Sequence, residues 1–266
     1  MRGAPLTAIT LITGLILGFI TTETAQAQWR VISSDSTEAQ PVYHKVVVSD
    51  AKSRVALYLC EFSTSDYALR IVDQGKDQAN RRFTNLSDAM HRTGCSAGLN
   101  GGFYGEDFKA LGLVVQHGET ITPYYNSNRS GLTSGVLWYG KGGIHIVRRQ
   151  SFQMNSGVKQ AIQTGPMLVW GGSGVAGLST DRPRPRSFVF TDWKGTWMLG
   201  TSSSVTLADL SSILDSSREL TGIHVDRAIN LDGGRSTGMF VQQDTGTVIY
   251  RSEISKVRNF IGILKK

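Results

Sequence analysis

The chain lacks the short motifs that mark several large enzyme classes. It has no glycine-rich phosphate-binding loop with its lysine. This absence leaves no support for a nucleotide hydrolase. The histidines show no His-Glu-x-x-His pattern or other metal-ligand spacing, so each is interpreted as a core or surface residue. They are His44, His91, His117, His145 and His224.

Cysteine is scarce as well, with only Cys60 and Cys95 present. In an oxidising compartment the two thiols would form a disulfide that stabilises the fold by about 3 to 4 kcal/mol in the chain-entropy model. A reactive thiol is the alternative, because His91 lies close to Cys95 in sequence. We predict a structural Cys60–Cys95 disulfide, which would also anchor the strand that delivers Asn100.

The first residues indicate export. Arg2 supplies a positive start, residues 6–20 form an apolar core too short to span a bilayer comfortably, and residues 25–27 form a small-residue cleavage site. No cysteine follows this core, which argues against a bacterial lipoprotein. An uncleaved membrane anchor is the alternative. We predict a signal peptide over residues 1–27 and a periplasmic or secreted protein with no stable membrane insertion after cleavage.

The formal net charge is +7. A basic protein outside the cytoplasm meets anionic polymers more often than nucleic acid, and no aromatic-basic pattern typical of nucleic-acid readers is visible. Plain solubility is the alternative explanation of the same charge. The charge therefore favours an anionic partner and excludes nucleic acid from the prediction.

The fold prediction rests on short apolar runs that end at glycine-marked turns. It is an α+β class: a strand-rich single domain of mixed or antiparallel sheet with a few packed helices. Residues 28–42 are polar and are predicted to be a flexible lead-in, and residues 43–266 form the domain. The predicted strands are residues 45–49, 54–61, 68–72, 97–100, 113–116, 135–139, 144–148, 167–170, 188–191, 196–200, 228–231, 238–242, 248–251 and 260–264.

Local signals also predict helices and hairpins. Thr84 is the predicted cap of a helix over residues 85–92 that ends before Gly94. Thr206 opens a second helix that runs to about Asp215, because residues 206–209 resemble a capping box. Hairpin turns are predicted at residues 141–143, 193–195 and 244–246.

The most informative segment is residues 228–237, AINLDGGRST, where an apolar run ends in a carboxylate and two glycines. Such a strand end presents Asp232 and lets bare backbone N–H groups approach a ligand. A plain hairpin turn is the alternative, because Asp-Gly pairs are common turn formers. Residues 96–104, SAGLNGGFY, repeat the design around Asn100, so the two strand ends could converge on one cleft.

Two further segments belong to this set. Residues 163–169 read QTGPMLV, and residues 182–187 read RPRPRS before an apolar strand. Proline keeps the preceding residue extended, so the basic run should be stiff and spread its guanidinium groups. The planar fork of arginine suits phosphate or carboxylate.

In this order, the four segments resemble the bacterial phosphodiester glycosidase family. The family pattern runs Asn-Gly-Gly-Phe-Phe, then Gly-Pro, then Pro-Arg-Ser/Thr before a strand, then Asn-Leu-Asp-Gly-Gly-Gly-Ser. The matches are residues 100–104, Gly165 with Pro166, residues 185–187 and residues 230–236, and the resemblance spans residue 43 to the C-terminus. Arg235 stands in place of the third glycine, where it could add an anion contact or narrow the pocket.

The resemblance implies a hydrolase that cuts a sugar from a sugar-1-phosphodiester or related anionic glycan of the cell envelope or an extracellular polysaccharide. Asp232 would act as general base toward water or stabilise the oxocarbenium-like centre, while Arg186 clamps the phosphate with help from Arg184. Asn100 and Asn230 would fix sugar hydroxyls. The predicted catalytic residues are Asp232, Asn100 and Arg186. The predicted substrate-binding residues are Asn230, Gly101, Gly165, Arg184, Gly233, Gly234 and Ser236.

Alternatives stay open for several of these roles. Gly233 and Gly234 would offer N–H groups to a developing negative charge. Asn230 could instead bond its own turn backbone, and Arg184 could be a solvated surface charge. No cofactor is certain, and a divalent cation stays open, with Asp226 as an acidic side chain that could assist Asp232. The alternative function is a non-catalytic glycan-binding accessory protein, which the cation at Arg235 would favour by tightening ground-state binding.

Overall fold

The structure is a computed structural model that describes residues 29–126, 131–216 and 222–266. The predicted signal peptide, residues 1–27, lies outside the described residues. In the described part of the chain, neither helix has the length and apolar character needed to cross a membrane.

The helices are α1 (Leu86–Thr93) and α2 (Leu207–Asp215). The strands are β1 (Arg30–Ser36), β2 (Val42–Ser49), β3 (Arg54–Ser63), β4 (Tyr67–Asp73), β5 (Ala97–Asn100), β6 (Val114–Gln116), β7 (Glu119–Thr122), β8 (Gly135–Gly140), β9 (Gly143–Arg148), β10 (Val158–Thr164), β11 (Met167–Trp170), β12 (Ser173–Gly174), β13 (Ser187–Thr191), β14 (Thr196–Ser202), β15 (Arg227–Asn230), β16 (Met239–Gln242), β17 (Val248–Arg251) and β18 (Asn259–Lys265).

The strands form three sheets in which every described pairing is antiparallel. The large sheet has the order β1-β2-β3-β14-β13-β15-β11-β12. The second sheet has the order β7-β6-β10-β8-β9, and the third has the order β17-β16-β5-β18-β4. The predicted strand-rich α+β domain is therefore confirmed, and the sheets are antiparallel rather than mixed.

The large sheet is buried on both faces, which explains the continuous apolar character of its central strands. In β13 Val189 faces a core shared by all three sheets, whereas Phe188 and Phe190 face a core under α2. This alternation follows from the period of two along a strand. The third sheet packs α1 against its other side through a core that includes Met90 and Phe260. The ends of β5, β13 and β15 are thus held by cores on both sides.

Both predicted helices are present, with one change of cap. Thr206 caps α2 as predicted, and its side chain accepts a hydrogen bond from the Asp209 amide. The cap of α1 is Asn85 rather than Thr84, because Asn85 Oδ1 lies 2.8 Å from the Asp88 amide nitrogen. The side chain three residues before that donor is the one that can reach it. Thr84 instead donates its own amide to Asp88.

The segment predicted as a flexible lead-in contains a strand, which corrects that prediction. β1 pairs with β2 along its length, and Trp29 just before it is only 1% exposed. The Gln243 side chain holds the following turn by donating to Thr37 Oγ1 at 2.6 Å and to the Ala39 carbonyl at 2.7 Å. The polar composition of residues 28–42 hid this strand because β1 is an edge strand with an exposed surface.

Three other strands, β7, β10 and β12, were not predicted. β10 is the informative case because six of its seven residues are buried although its sequence, VKQAIQT, alternates poorly. Its glutamines are satisfied across the fold: Gln160 Oε1 accepts the Ile71 amide at 3.1 Å, and Gln163 Oε1 accepts the Leu113 amide at 3.0 Å. Such tertiary partners make polar residues acceptable in a core.

The predicted disulfide is absent, because the structure holds Cys60 and Cys95 as free, buried thiols. Cys60 lies in β3 within the core shared by the three sheets, and Cys95 lies in the separate core under α1. Cys95 Sγ accepts a hydrogen bond from Thr93 Oγ1 at 3.4 Å. Burial raises the pKa of each thiol, so both are held as neutral, unreactive groups.

Candidate active site

Two glycine-flanked strand ends from different sheets meet at one point. β5 belongs to the third sheet and β15 to the large sheet. The Asp232 amide donates to the Gly101 carbonyl at 3.1 Å, and Asn100 Nδ2 donates to the Asp232 carbonyl at 2.6 Å. The predicted convergence of these two segments is confirmed. It places the Asp232 carboxylate at the junction of two sheets.

Asn100 is a brace inside this junction rather than a surface group. It is 1% exposed, and its Oδ1 accepts hydrogen bonds from Ser187 Oγ at 2.6 Å and from the Gly238 amide at 3.2 Å. Its amide therefore ties β5 to the basic run before β13 and to the segment after Asp232. This burial corrects the expectation that Asn100 contacts a sugar hydroxyl and makes it a positioning residue.

Asn230 has a similar buried role. Asn230 is 2% exposed. Its Nδ2 donates to the Gly165 carbonyl at 2.9 Å and to the neighbouring Leu231 carbonyl at 2.7 Å. The predicted sugar contact is thus replaced by a link between two of the four motifs. Gly165 is required here because a Cβ would meet the Gly131 carbonyl and would lie 2.6 Å from Ser134 Oγ. Asn230 and Gly165 therefore support the junction from its buried side.

The same holds at Gly101, where a Cβ would collide with the Asn259 side chain. Asn259 is itself 1% exposed, and its Oδ1 accepts the Gly102 amide at 2.8 Å. Asn259 was not predicted as a site residue, and its only signal in the sequence is a polar amide directly before a buried strand. Gly101 contributes its carbonyl to the junction, so its role is structural.

The Asp232 carboxyl is the acidic group that this scaffold presents. Burial raises the pKa of Asp232 above its ordinary value, while hydrogen bonds from Ser236 and the Gly233 amide and the charge of Arg184 act in the opposite direction. The Gly233 amide lies 2.8 Å from Asp232 Oδ1. A carboxylate with a raised pKa is a stronger base than an ordinary aspartate, which suits proton abstraction from water.

Tyr104 and Ser236 extend this group. Ser236 is 5% exposed and hydrogen-bonds the carboxyl of Asp232 and the hydroxyl of Tyr104. The Tyr104 hydroxyl also donates to the Lys256 carbonyl at 2.6 Å. Burial raises the pKa of Tyr104, and the charge of Asp232 raises it further, so the phenol stays protonated. Tyr104 lies in a predicted motif but was not predicted as a site residue.

The two glycines after Asp232 allow the basic run to pack against the loop. A Cβ on Gly233 would lie 2.8 Å from the Pro185 carbonyl and 3.7 Å from Arg186 Cδ. Gly234 has φ +65 and donates its amide to the Pro185 carbonyl at 2.8 Å. The amides of Gly233 and Gly234 are therefore bonded within the protein, which corrects the expectation that they bind a developing negative charge.

The two arginines beside this loop differ in how they are held. Arg186 is half-buried, and its Nε and Nη2 donate to the carbonyls of Val205 at 3.1 Å and Arg182 at 3.2 Å. Burial lowers the pKa of Arg186, and the nearby charge of Arg184 lowers it further. Arg184 is exposed, its backbone pairs with Val205, and its charge acts on Asp232. Arg184 is thus the guanidinium presented beside the carboxylate.

Two further residues, Arg235 and Asp226, were predicted to contribute beside Asp232. The Arg235 side chain is exposed, and its carbonyl accepts the amides of Ile254 at 2.8 Å and Ser255 at 2.9 Å. Asp226 precedes β15, at the opposite end from Asp232, and pairs with Arg227 at 3.2 Å. This separation corrects the idea that Asp226 assists a cation beside Asp232. In the described ranges, no group of three or more His, Cys, Asp or Glu residues could hold a metal ion.

The positioning role of Asn100 can be tested by substituting two buried serines, one that bonds Asn100 and one that does not. Ser187→Ala removes the 2.6 Å bond to Asn100, and Ser211→Ala removes a 2.7 Å bond to the Leu168 carbonyl under α2, away from the site. We expect each change to lower the free energy of unfolding by about 1 kcal/mol. Only Ser187→Ala should also lower the kcat of the sugar-1-phosphodiester hydrolysis that the sequence predicts, by about tenfold. Ser187 holds Asn100, and Asn100 holds the Asp232 backbone, so the lost bond displaces Asp232 from its alignment. Equal kcat in Ser187→Ala and Ser211→Ala would contradict the positioning role of Asn100.

Comparisons with known proteins concern the family and the fold. The family model for phosphodiester glycosidases matches residues 93–264, which is well over half of the chain. The uncharacterized protein YigE of Escherichia coli (strain K12) is 28% identical over 91 residues, covering 33% of this chain and 36% of that protein. The match therefore spans about a third of the length of that curated relative.

Two solved structures share the fold. A hypothetical protein from Synechocystis superposes with a TM-score of 0.58 at 14% identity, covering 91% of this chain and 68% of that chain. The catalytic domain of zebrafish N-acetylglucosamine-1-phosphodiester alpha-N-acetylglucosaminidase, auto-inhibited by its pro-peptide, superposes with a TM-score of 0.59 at 13% identity. That match covers 92% of this chain and 85% of that chain. At these identities the likeness shows the fold alone.

Proposed function

Because this chain belongs to the phosphodiester glycosidase family, we propose that it is a hydrolase that releases a sugar from a sugar-1-phosphodiester. The proposed substrate is a phosphorylated glycan of the cell envelope or an extracellular polysaccharide, in keeping with the export signal expected from residues 1–27. The observation that carries the proposal is the Asp232 carboxyl, whose pKa burial raises and whose position between Gly233, Ser236 and Arg184 is set by two converging strand ends.

The chemistry needs one base and one cationic group. Water attacks the anomeric carbon, a new carbon–oxygen bond forms, and the bond from the anomeric carbon to the phosphate oxygen breaks. The electron pair of that bond leaves on the phosphate monoester, and the proton of the water passes to Asp232. A phosphate monoester is already a good leaving group, so the second carboxylic acid of most glycosidases is not required. A single half-buried carboxylate is consistent with this reaction.

We assign the phosphate contact to Arg184 and a supporting role to Arg186. Two nitrogens of the Arg186 guanidinium are already bonded to the carbonyls of Val205 and Arg182, which hold the basic run in place. Arg184 is exposed and carries its charge close to Asp232. A cation next to the carboxylate attracts the anionic substrate and stabilises the charge that develops on the leaving phosphate.

The bond that breaks can be identified by isotope labelling. The purified protein is incubated with a synthetic sugar-1-phosphodiester in water enriched in oxygen-18, and both products are analysed by mass spectrometry. We expect the label in the hydroxyl on the anomeric carbon and none in the phosphate monoester, because water attacks carbon. Label in the phosphate would indicate a phosphodiesterase and would contradict the proposal. Binding without turnover would favour the glycan-binding accessory function instead.

A further inference from the structure

Two predicted hairpin turns that the site does not use meet in space. The turns at residues 141–143 and 193–195 both line one cavity of about 260 Å³. Its other lining residues are Thr64, Ile144, His145 and Trp197. Arg227 lies behind this cavity at the start of β15, whereas Asn230 ends that strand beside Asp232. Arg227 and Asn230 are three residues apart, so at a rise of ~3.3 Å per residue they are separated by about 10 Å along the strand.

Trp193 is the distinctive residue of this cavity. Trp193 is 41% exposed, which makes it the most exposed tryptophan of the described residues. Its backbone has φ +58, in the left-handed region that a bulky residue rarely adopts. The strain is held by the turn, where the Trp193 amide donates to Thr191 Oγ1 at 3.0 Å. Residues with strained backbone conformations of this kind cluster at active sites and ligand-binding sites.

The orientation of the indole is fixed by a cation behind it. The Arg227 guanidinium lies 3.6 Å from the Trp193 ring centroid and also 4.5 Å from that of Trp170. Arg227 is itself anchored, because its Nη1 donates to the Ile146 carbonyl at 2.8 Å and its Nε pairs with Asp226 at 3.2 Å. The ring is therefore rigid before any ligand arrives, which reduces the entropy lost on binding.

Apart from Ile144, the remaining walls are aromatic and polar. Trp197 packs 6.5 Å from Trp193, and His145 lies 6.1 Å from Trp193 while it stacks at 4.1 Å on Trp138. Burial lowers the pKa of His145, and the charge of Arg227 lowers it further, so the imidazole is a neutral wall. Each of the two turns also carries an exposed lysine, Lys141 next to Gly142 and Lys194 next to Trp193, so both lysines adjoin the rim in sequence.

We propose that this cavity is an outlying glycan-binding platform that holds an acidic polysaccharide strand by stacking a sugar ring on Trp193. A pyranose ring has an apolar face of C–H groups that matches a flat indole, and its hydroxyl edge matches a polar rim. The rim lysines favour acidic sugars. A lipid would need a continuous apolar lining, which this cavity lacks. Holding the polymer near Asp232 rests on the proposed function, whereas binding itself does not.

Affinity electrophoresis tests the platform directly. The protein carries Asp232→Asn so that no polymer is cut, and it migrates through native gels cast with alginate, hyaluronate or neutral dextran. We expect retardation in at least one acidic gel. Adding Trp193→Ala should weaken that binding about tenfold, the effect of one lost aromatic stack, and Trp193→Phe should restore most of it. Tyr250→Ala, which removes an aromatic residue 37% exposed on β17, is the matched control and should bind normally.

The outcomes separate this proposal from the proposed function. Thermal melting identifies any variant whose fold is lost, and if Trp193→Ala is such a variant, Trp193→Leu, which keeps an apolar side chain but has no flat ring, takes its place. Trp193→Ala in the otherwise native protein should hydrolyse a small sugar-1-phosphodiester at the native rate. Absence of retardation in every acidic gel, or equal retardation of parent and Trp193→Ala, overturns the platform even if hydrolysis is found. Retardation that depends on Trp193 supports it even if no hydrolysis is found.

Discussion

Replacing Asp232 by asparagine should abolish hydrolysis and make the fold more stable. Asparagine keeps an oxygen for the Gly233 amide at the position now 2.8 Å away, but it cannot accept the proton of the attacking water. Loss of a general base costs ~10² to 10⁴-fold in rate. We expect kcat on a sugar-1-phosphodiester to fall by about 10³-fold, with the fold checked by circular dichroism.

The stability change follows from the same half-buried carboxyl. Burial raises the pKa of Asp232 in the folded state above the value of about 3.9 that it has when unfolded. The neutral carboxyl favours the fold below the unfolded pKa, and this contribution is lost as the pH rises through the folded pKa. Asparagine is uncharged at every pH, so it does not suffer this loss. The Tm of Asp232→Asn should exceed that of the native protein above the folded pKa.

Two measurements complete this prediction. The kcat/KM of the native enzyme should fall with decreasing pH through a pKa above the ordinary aspartate range, because protonation removes the base. Asp244→Asn is the control: this acid is exposed and pairs with Lys265 at 3.1 Å, far from the site. It should leave both activity and Tm near native. Native-rate hydrolysis by Asp232→Asn would contradict the assigned base.

The basic run provides a second set of large effects, because three arginines alternate with prolines and the structure gives each a different role. Arg184→Met should lower kcat/KM by about 10²-fold, the effect of removing one charged contact to a developing anion. It should leave the Tm near native, because the side chain is exposed. Arg182→Met is the matched control and should keep near-native kcat/KM, since Arg182 contributes its carbonyl rather than its guanidinium.

Arg186→Met should behave differently from both neighbours. It removes the donors to the Val205 and Arg182 carbonyls, so we expect a lower Tm together with lower kcat/KM. Measuring Tm and kcat/KM for all three variants distinguishes a phosphate contact from a support. Native kcat/KM in Arg184→Met, or equal loss in Arg182→Met and Arg184→Met, would contradict the assignment of the phosphate contact to Arg184.

The sequence was a good guide to local structure. Strands such as Ala97–Asn100, Met167–Trp170 and Val248–Arg251 have the predicted bounds. Apolar runs that stop at glycine and capping residues at helix starts are decided by near neighbours in the chain, so they can be read from it. The order of four short motifs was enough to predict the family.

Predictions about individual side chains were less successful at the site. Asn100 and Asn230 were expected to meet sugar, yet each is turned inward to bond segments distant in sequence. The amides of Gly233 and Gly234 were expected to be free, yet they bond Asp232 and Pro185. A motif identifies a conspicuous residue but does not say which of its polar atoms faces solvent.

The sequence by itself determined most of the strands, both helices and the family, and it singled out Asp232 as the candidate acid. Only the tertiary structure decided that β5 and β15, from separate sheets, end side by side, that Arg184 rather than Arg186 is exposed, and that two hairpins create the cavity at Trp193. Cys60 and Cys95 likewise lie in different cores, which no spacing reveals. The physical reason is that hydrogen-bond partners, burial and pKa depend on contacts between segments far apart in the chain.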